Sequence, residues 1–215
     1  MSLNFAGISP HPPIIIPEIG KDDINKVADT TIALRKLAHD FNEAEIDTLI
    51  VISPHGLIYP DQFSICGMKK LFGSFAEFDA PNVIIENQNN LELANLIDEA
   101  AQKEGIKSLL YDNDGEFYEL DHGVMVPLYY IKSQLENPIK VIPISYSNLD
   151  RAAHFSLGQI IRDVAAKYPE RVGILASGDL AHQLIQRPES KEFDEKLIDD
   201  IEKYPVQFLL PYGIL

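Results

Sequence analysis

Ser9-Pro10-His11-Pro12-Pro13 follows the apolar run Asn4-Phe5-Ala6-Gly7-Ile8, and Ser53-Pro54-His55-Gly56 follows Thr48-Leu49-Ile50-Val51-Ile52. A short apolar run that stops at Ser-Pro-His reads as a buried strand delivering a histidine at its carboxyl end. Proline on one side of each histidine, with proline or glycine on the other, restricts the backbone and so helps hold a ligand geometry. The same prolines also serve simply to end a strand. Two such histidines on two strands of one sheet are placed to converge on one metal ion.

Outward from these motifs, strand-like and helix-like runs alternate. Pro12 to Pro17 must be extended. Residues 22–41 carry an apolar face at Ile24, Val27, Ala28, Ile32, Leu34, Leu37 and Ala38, the spacing of a helix, with Asp22 or Asp23 to cap it. Short strands are expected at 63–68, 83–86 and 108–111, and a helix over 91–103 that Gly105 stops. Asp121-His122-Gly123 then leads into a helix with Pro127 in its first turn. A strand at 140–145, a helix over 150–167, a strand at 171–177 and an amphipathic helix over 190–203 complete the pattern. This alternation indicates one α/β domain over residues 1–215, with helices on both faces of a largely parallel or mixed sheet.

The composition narrows the function. A net charge of −15 argues against a surface that tracks nucleic-acid phosphates or docks on anionic lipid. No apolar run reaches the roughly 18–20 residues of a membrane span, and the first residues lack the basic and apolar regions of a secretory signal. The single cysteine, Cys66, allows no internal disulfide and no cysteine-built zinc site. A cytoplasmic protein is the expectation.

Of the six histidines, His39 and His154 fall inside expected helices and read as ordinary surface or boundary residues. His11, His55 and His182 each follow an apolar strand, and His122 lies in a glycine-flanked turn before a helix. In open α/β sheets ligands bind beyond the carboxyl ends of the strands. Neutral imidazoles suit divalent iron, zinc, copper or nickel, and two histidines with a carboxylate form the facial site of non-haem Fe(II) oxygenases. Histidines that bind no metal can move protons near neutral pH. At a helix start the dipole would favour the neutral form of His122. Nucleotide-binding loops of the G-x-x-x-x-G-K-[ST] or G-x-G-x-x-G type and a G-x-S-x-G elbow are absent. A Ser–His hydrolase built on Ser53 or Ser177 ranks low; a serine two positions before a histidine, as Ser53 is before His55, does not meet its ring. Asp179 reads as a turn cap or as an orienting partner of a histidine. Tyr129 and Tyr130 read as core, and Cys66 as buried and inert.

Together, Ser9-Pro10-His11-Pro12-Pro13, Ser53-Pro54-His55-Gly56, Asp121-His122-Gly123-Val124-Met125-Val126-Pro127-Leu128 and Ser177-Gly178-Asp179-Leu180-Ala181-His182 resemble the class III extradiol ring-cleavage dioxygenases, in their catalytic-subunit (LigB-like) superfamily. The likeness is closer to the branch that includes Memo-like proteins and the AmmeMemoRadiSam system protein B. The resemblance implies a three-layer α/β/α sandwich. It also implies Fe(II) held by His11 and His55, and His122 and His182 as the pair beside the metal that handles protons while O2 attacks a small aromatic diol. Zn(II), or no metal, is the alternative for a Memo-like protein of the same fold that cleaves no ring and works as a partner or in other chemistry. The family's third ligand is a glutamate in the C-terminal part. No acidic residue follows Glu202 here, so the expectation is a chain that lacks part of that region or a protein without that ligand, with Glu202, Asp179 or Asp61 as substitutes. The apolar residues 208–215 are expected to pack on the core or on a partner, in a homo-oligomer or with another protein.

Overall fold

A computed structural model describes residues 3–181 and 187–203. The parallel heart of the sheet is formed by β1 (Phe5–Ser9), β9 (Val172–Ser177), β2 (Thr48–Ser53) and β8 (Lys140–Ser145), adjacent in that order. At β8 the sheet divides. One branch runs through β5 (Ala80–Gln88), β4 (Lys70–Phe75) and β7 (Tyr118–Glu119), and the other through β3 (Phe63–Cys66), antiparallel to β8, and β6 (Ser108–Tyr111). This mixed sheet agrees with the expected fold class.

Helices cover both faces because the parallel strands are apolar on both. Leu49, Val51, Val141 and Leu175 join one core with α2 (Ala28–Glu43) and α4 (His122–Lys132). The alternate positions Ile50, Ile142, Ile144 and Ile174 join a second core with α3 (Leu91–Lys103) and α5 (Arg151–Ala165). Each fully buried aliphatic side chain of this kind contributes about 1.5–3 kcal/mol relative to exposure. A short helical turn, α1 (Pro17–Gly20), precedes α2, and α6 (Pro188–Lys203) is the last described element. Among the described residues no helix is long and apolar enough to cross a membrane.

The α3 helix and the strands β6 and β8 fall where the sequence places them. Gly105 adopts φ 77° just past α3, the left-handed conformation that ends a helix at low cost in a residue without a Cβ. The helix expected from residue 22 instead begins as a 3-10 segment, Lys21–Val27, and becomes α-helical at Ala28. The helix expected at Val124 starts two residues earlier, at His122, so Pro127 lies inside it rather than in its first turn. Strand β4 stands between 68 and 83, where the sequence suggests only turns, and β7 falls where no element is expected.

Register aligns the ends of the four parallel strands. Ser9 is level with Ser177, and Ser53 with Ser145. All four serines are buried, so their hydroxyls form a polar floor at the carboxyl edge of the sheet.

Candidate metal centre

His11 leaves the end of β1 and is almost wholly buried. Its backbone N–H donates to Asp179 Oδ1 at 3.4 Å, and its ring Nδ1 lies 3.0 Å from Ser177 Oγ on the neighbouring strand. His55 follows β2 through Pro54 and is exposed. Its backbone N–H donates to Ser53 Oγ at 3.2 Å, and that hydroxyl donates to Asp121 Oδ1 at 2.5 Å. Asp121 caps α4, accepting from the N–H of Val124 at 3.2 Å. His122 is therefore the first residue of a helix anchored through its cap to the end of β2.

These local structures bring three rings together. His11 and His55 meet edge to face with centroids 4.8 Å apart, and His122 is 4.1 Å from His55 and 5.5 Å from His11. One ring nitrogen from each lies within 4.8 Å of the other two, so the trio can address a single ion. The close packing depends on Gly123: a Cβ there would sit 2.4 Å from Ser53 Oγ and 2.8 Å from Asp121 Oδ1. Phe78 closes one side, edge-on to His122 at 5.5 Å.

The donor set fits a first-row divalent ion. His11 Nε2 and His55 Nε2 are 2.9 Å apart. Two ligands at the metal–nitrogen distance of about 2.0–2.1 Å and at right angles stand about 3 Å from each other. Imidazole is the ligand that zinc, copper, nickel and iron share. Asp179 Oδ2 lies 3.8 Å from His11 Nε2, which places a carboxylate at the edge of the cluster.

Electrostatics favour the neutral form of His11 and His122. Burial is the largest cause of a lowered His11 pKa; Asp179 opposes it, and His55 and His122 add to it. Burial also lowers the pKa of His122, with His55 the next cause, and Asp121 and Asp179 oppose. A neutral imidazole is the form that binds metal or accepts a proton.

Of the four histidines singled out from the sequence, the structure brings together His11, His55 and His122, while His182 lies outside the described residues. His122 stands beside the two expected ligands, with a ring nitrogen close enough to share their ion. Of the candidate carboxylates, Asp179 is at the cluster, whereas Asp61 pairs with Lys107 at the surface; the Glu202 side chain lies outside the described residues. His39 is exposed on α2. His154 is engaged elsewhere, with Nδ1 2.9 Å from the Asp150 carbonyl oxygen and its ring against Phe63. Cys66 is buried, and burial pushes its thiol up to about 12. Tyr130 is core and donates to the Ile15 carbonyl. Sequence reasoning missed the roles of Asp121 and Ser177. The signal that could have found Ser177 is that all four apolar runs of the central strands end on serine.

Comparison with known proteins agrees with this geometry. A family model described as the catalytic LigB subunit of aromatic ring-opening dioxygenase matches residues 6–212. Protein CA_C1420 of Clostridium acetobutylicum is 33% identical over 213 residues, which cover 94% of this chain and 45% of that protein. A 3,4-dihydroxyphenylacetate 2,3-dioxygenase of Escherichia coli is 27% identical over 183 residues, 79% of this chain and 64% of that one. A MEMO1 family protein of Methanosarcina mazei is 25% identical over 104 residues, 48% and 38% of the two chains. The chain thus spans between about two fifths and two thirds of the length of these relatives.

Proposed function

The chain belongs to the family of the catalytic LigB subunit of aromatic ring-opening dioxygenases, and from that premise we propose that it is a non-haem Fe(II) extradiol dioxygenase acting on a catechol-type aromatic with O2. The observation that carries the reading is the convergence of His11, His55 and His122 from three separate segments. His11 and His55 hold the ion through nitrogens that already sit at the spacing of neighbouring ligands. Asp179 offers a carboxylate oxygen 3.8 Å from His11 Nε2. When bound, Fe(II) supplies the one-electron chemistry that lets O2 react with an aromatic ring.

The protein's own residues have distinct tasks in this reading. His122, neutral because it is partly buried beside His55, accepts a proton given up by a bound diol. His182 is its partner in proton handling, as the resemblance implies. Phe78 offers an aromatic edge against which a planar ring can pack. His55 is exposed, so the cluster opens to solvent on its side and admits a small molecule.

The likeness to a MEMO1 family protein favours a second reading, a metal-binding member of the fold without ring cleavage. Fold alone does not decide between them. Anaerobically purified protein loaded with Fe(II), mixed with a broad catechol panel and exposed to air, separates the two. The first reading expects a growing absorbance from a yellow ring-opened product. Metal bound by His11 and His55, with no product from any catechol, leaves the second.

A further inference from the structure

Ser177 sits at the end of β9 between two groups from other elements. Its hydroxyl donates to the carbonyl oxygen of Gly123 in α4. A carbonyl accepts only, and a hydroxyl has one proton, so that proton is committed. The second contact of Ser177 Oγ, His11 Nδ1 at 3.0 Å, must then be a donation from the imidazole. His11 therefore carries its proton on Nδ1, and its Nε2 presents a lone pair to the cluster.

The Gly123 carbonyl is free for Ser177 because of Pro127. In an α-helix the carbonyl of residue 123 would accept from the N–H of residue 127, and proline has none. The proline inside α4 thus turns a helix carbonyl into an acceptor for a neighbouring strand.

We propose that Ser177 is a positioning residue that fixes the tautomer of His11, and that Pro127 sets Ser177 by leaving the Gly123 carbonyl without its helical donor. The inference rests on the reading of His11 as a metal ligand. A hydrogen bond to the far nitrogen of a ligating histidine orients the ring and selects the nitrogen that binds. Here the chain is strand end to strand end to helix, so the ligand lone pair is set before any ion arrives.

The test has two arms. Long-range proton–nitrogen correlation spectra of the metal-free protein, labelled with nitrogen-15 histidine, report the tautomer of His11. The expected result is a protonated Nδ1 and an unprotonated Nε2 in the wild type, with mixed tautomers in Ser177→Ala. Pro127→Ala, which restores a competing N–H to Gly123, should shift the population the same way by a smaller amount. Zn(II) affinity, measured by competition with a chromophoric chelator, should weaken roughly 10- to 100-fold in Ser177→Ala. A wild-type His11 protonated on Nε2 overturns the proposal whether or not the variants fold. An unaltered His11 spectrum in Ser177→Ala also overturns it, and an unaltered one in Pro127→Ala overturns the role of the proline. If the wild type binds neither Zn(II) nor Fe(II), the metal reading fails, while the tautomer of His11 still decides the role of Ser177.

Discussion

His11 uses both ring nitrogens, one on Ser177 and one facing His55, and it does so in a buried site. Neutrality is the condition for both contacts to serve a metal. The pKa values of His11 and His122 lie below the ordinary imidazole value of 6.5. The unfolded chain therefore takes up protons near pH 6.5, while the native protein resists until lower pH. Between those points the unfolded state holds more protons, so stability falls as pH falls. For the metal-free protein, the urea midpoint should drop between pH 7.5 and pH 5.5, and His122→Gln should shrink that drop. A midpoint constant over the interval would contradict the assignment. Gly123 makes a separate prediction at this scale. Its missing Cβ leaves room for Ser53 and Asp121 to bond, so Gly123→Ala should cost about 1–3 kcal/mol by overpacking and weaken metal binding as well. Urea unfolding and a Zn(II) titration of the same variant check both effects.

At the scale of elements, the helices are held by caps at opposite ends of the sheet, and the two ends differ in purpose. Asp121 caps α4 at the carboxyl edge and binds Ser53. Asn90 caps α3 near the amino edge, where its Oδ1 accepts from Leu93 N–H and from the Tyr168 hydroxyl and its Nδ2 donates to Thr48 and Glu170. Losing a cap costs about 1 kcal/mol, and stranding buried partners adds to it. Asn90→Ala should therefore destabilise by about 2–3 kcal/mol and leave metal affinity unchanged, while Asp121→Ala should lose both stability and affinity. Equal affinity losses in the two variants would mean that α4 is no special part of the site. The elements also show what a sequence can reveal. Strands β2, β8 and β9 are legible because their apolar runs are continuous and end abruptly, and α3 because its apolar spacing and Gly105 agree. Strand β4 is not, since Gly73 reads as a turn. The glycine is there for another reason: a Cβ at that position would sit 2.4 Å from Met125 Sδ on α4. Two-residue β7 exists only through its pairing with β4, which no local pattern announces.

For the whole molecule, topology does what spacing cannot. His11, His55 and His122 are separated by long stretches of chain, and the parallel order β1-β9-β2-β8 brings the first two to one edge. Their place at strand ends was legible from Ser-Pro-His. The approach of His122 was not, because it depends on how α4 crosses the sheet and on the Asp121–Ser53 bond. Likewise, Asp179 emerges as the nearby carboxylate only when β9 lies beside β1, which aligns Ser177 with Ser9. In the proposed function this edge of the sheet holds one divalent ion. An anomalous-difference map from crystals grown with Fe(II) or Zn(II), recorded at the edge of that metal, tests it most directly. One peak is expected about 2.0–2.1 Å from Nε2 of both His11 and His55, with the remaining ligands visible around it. A map with no peak at the three histidines would contradict it.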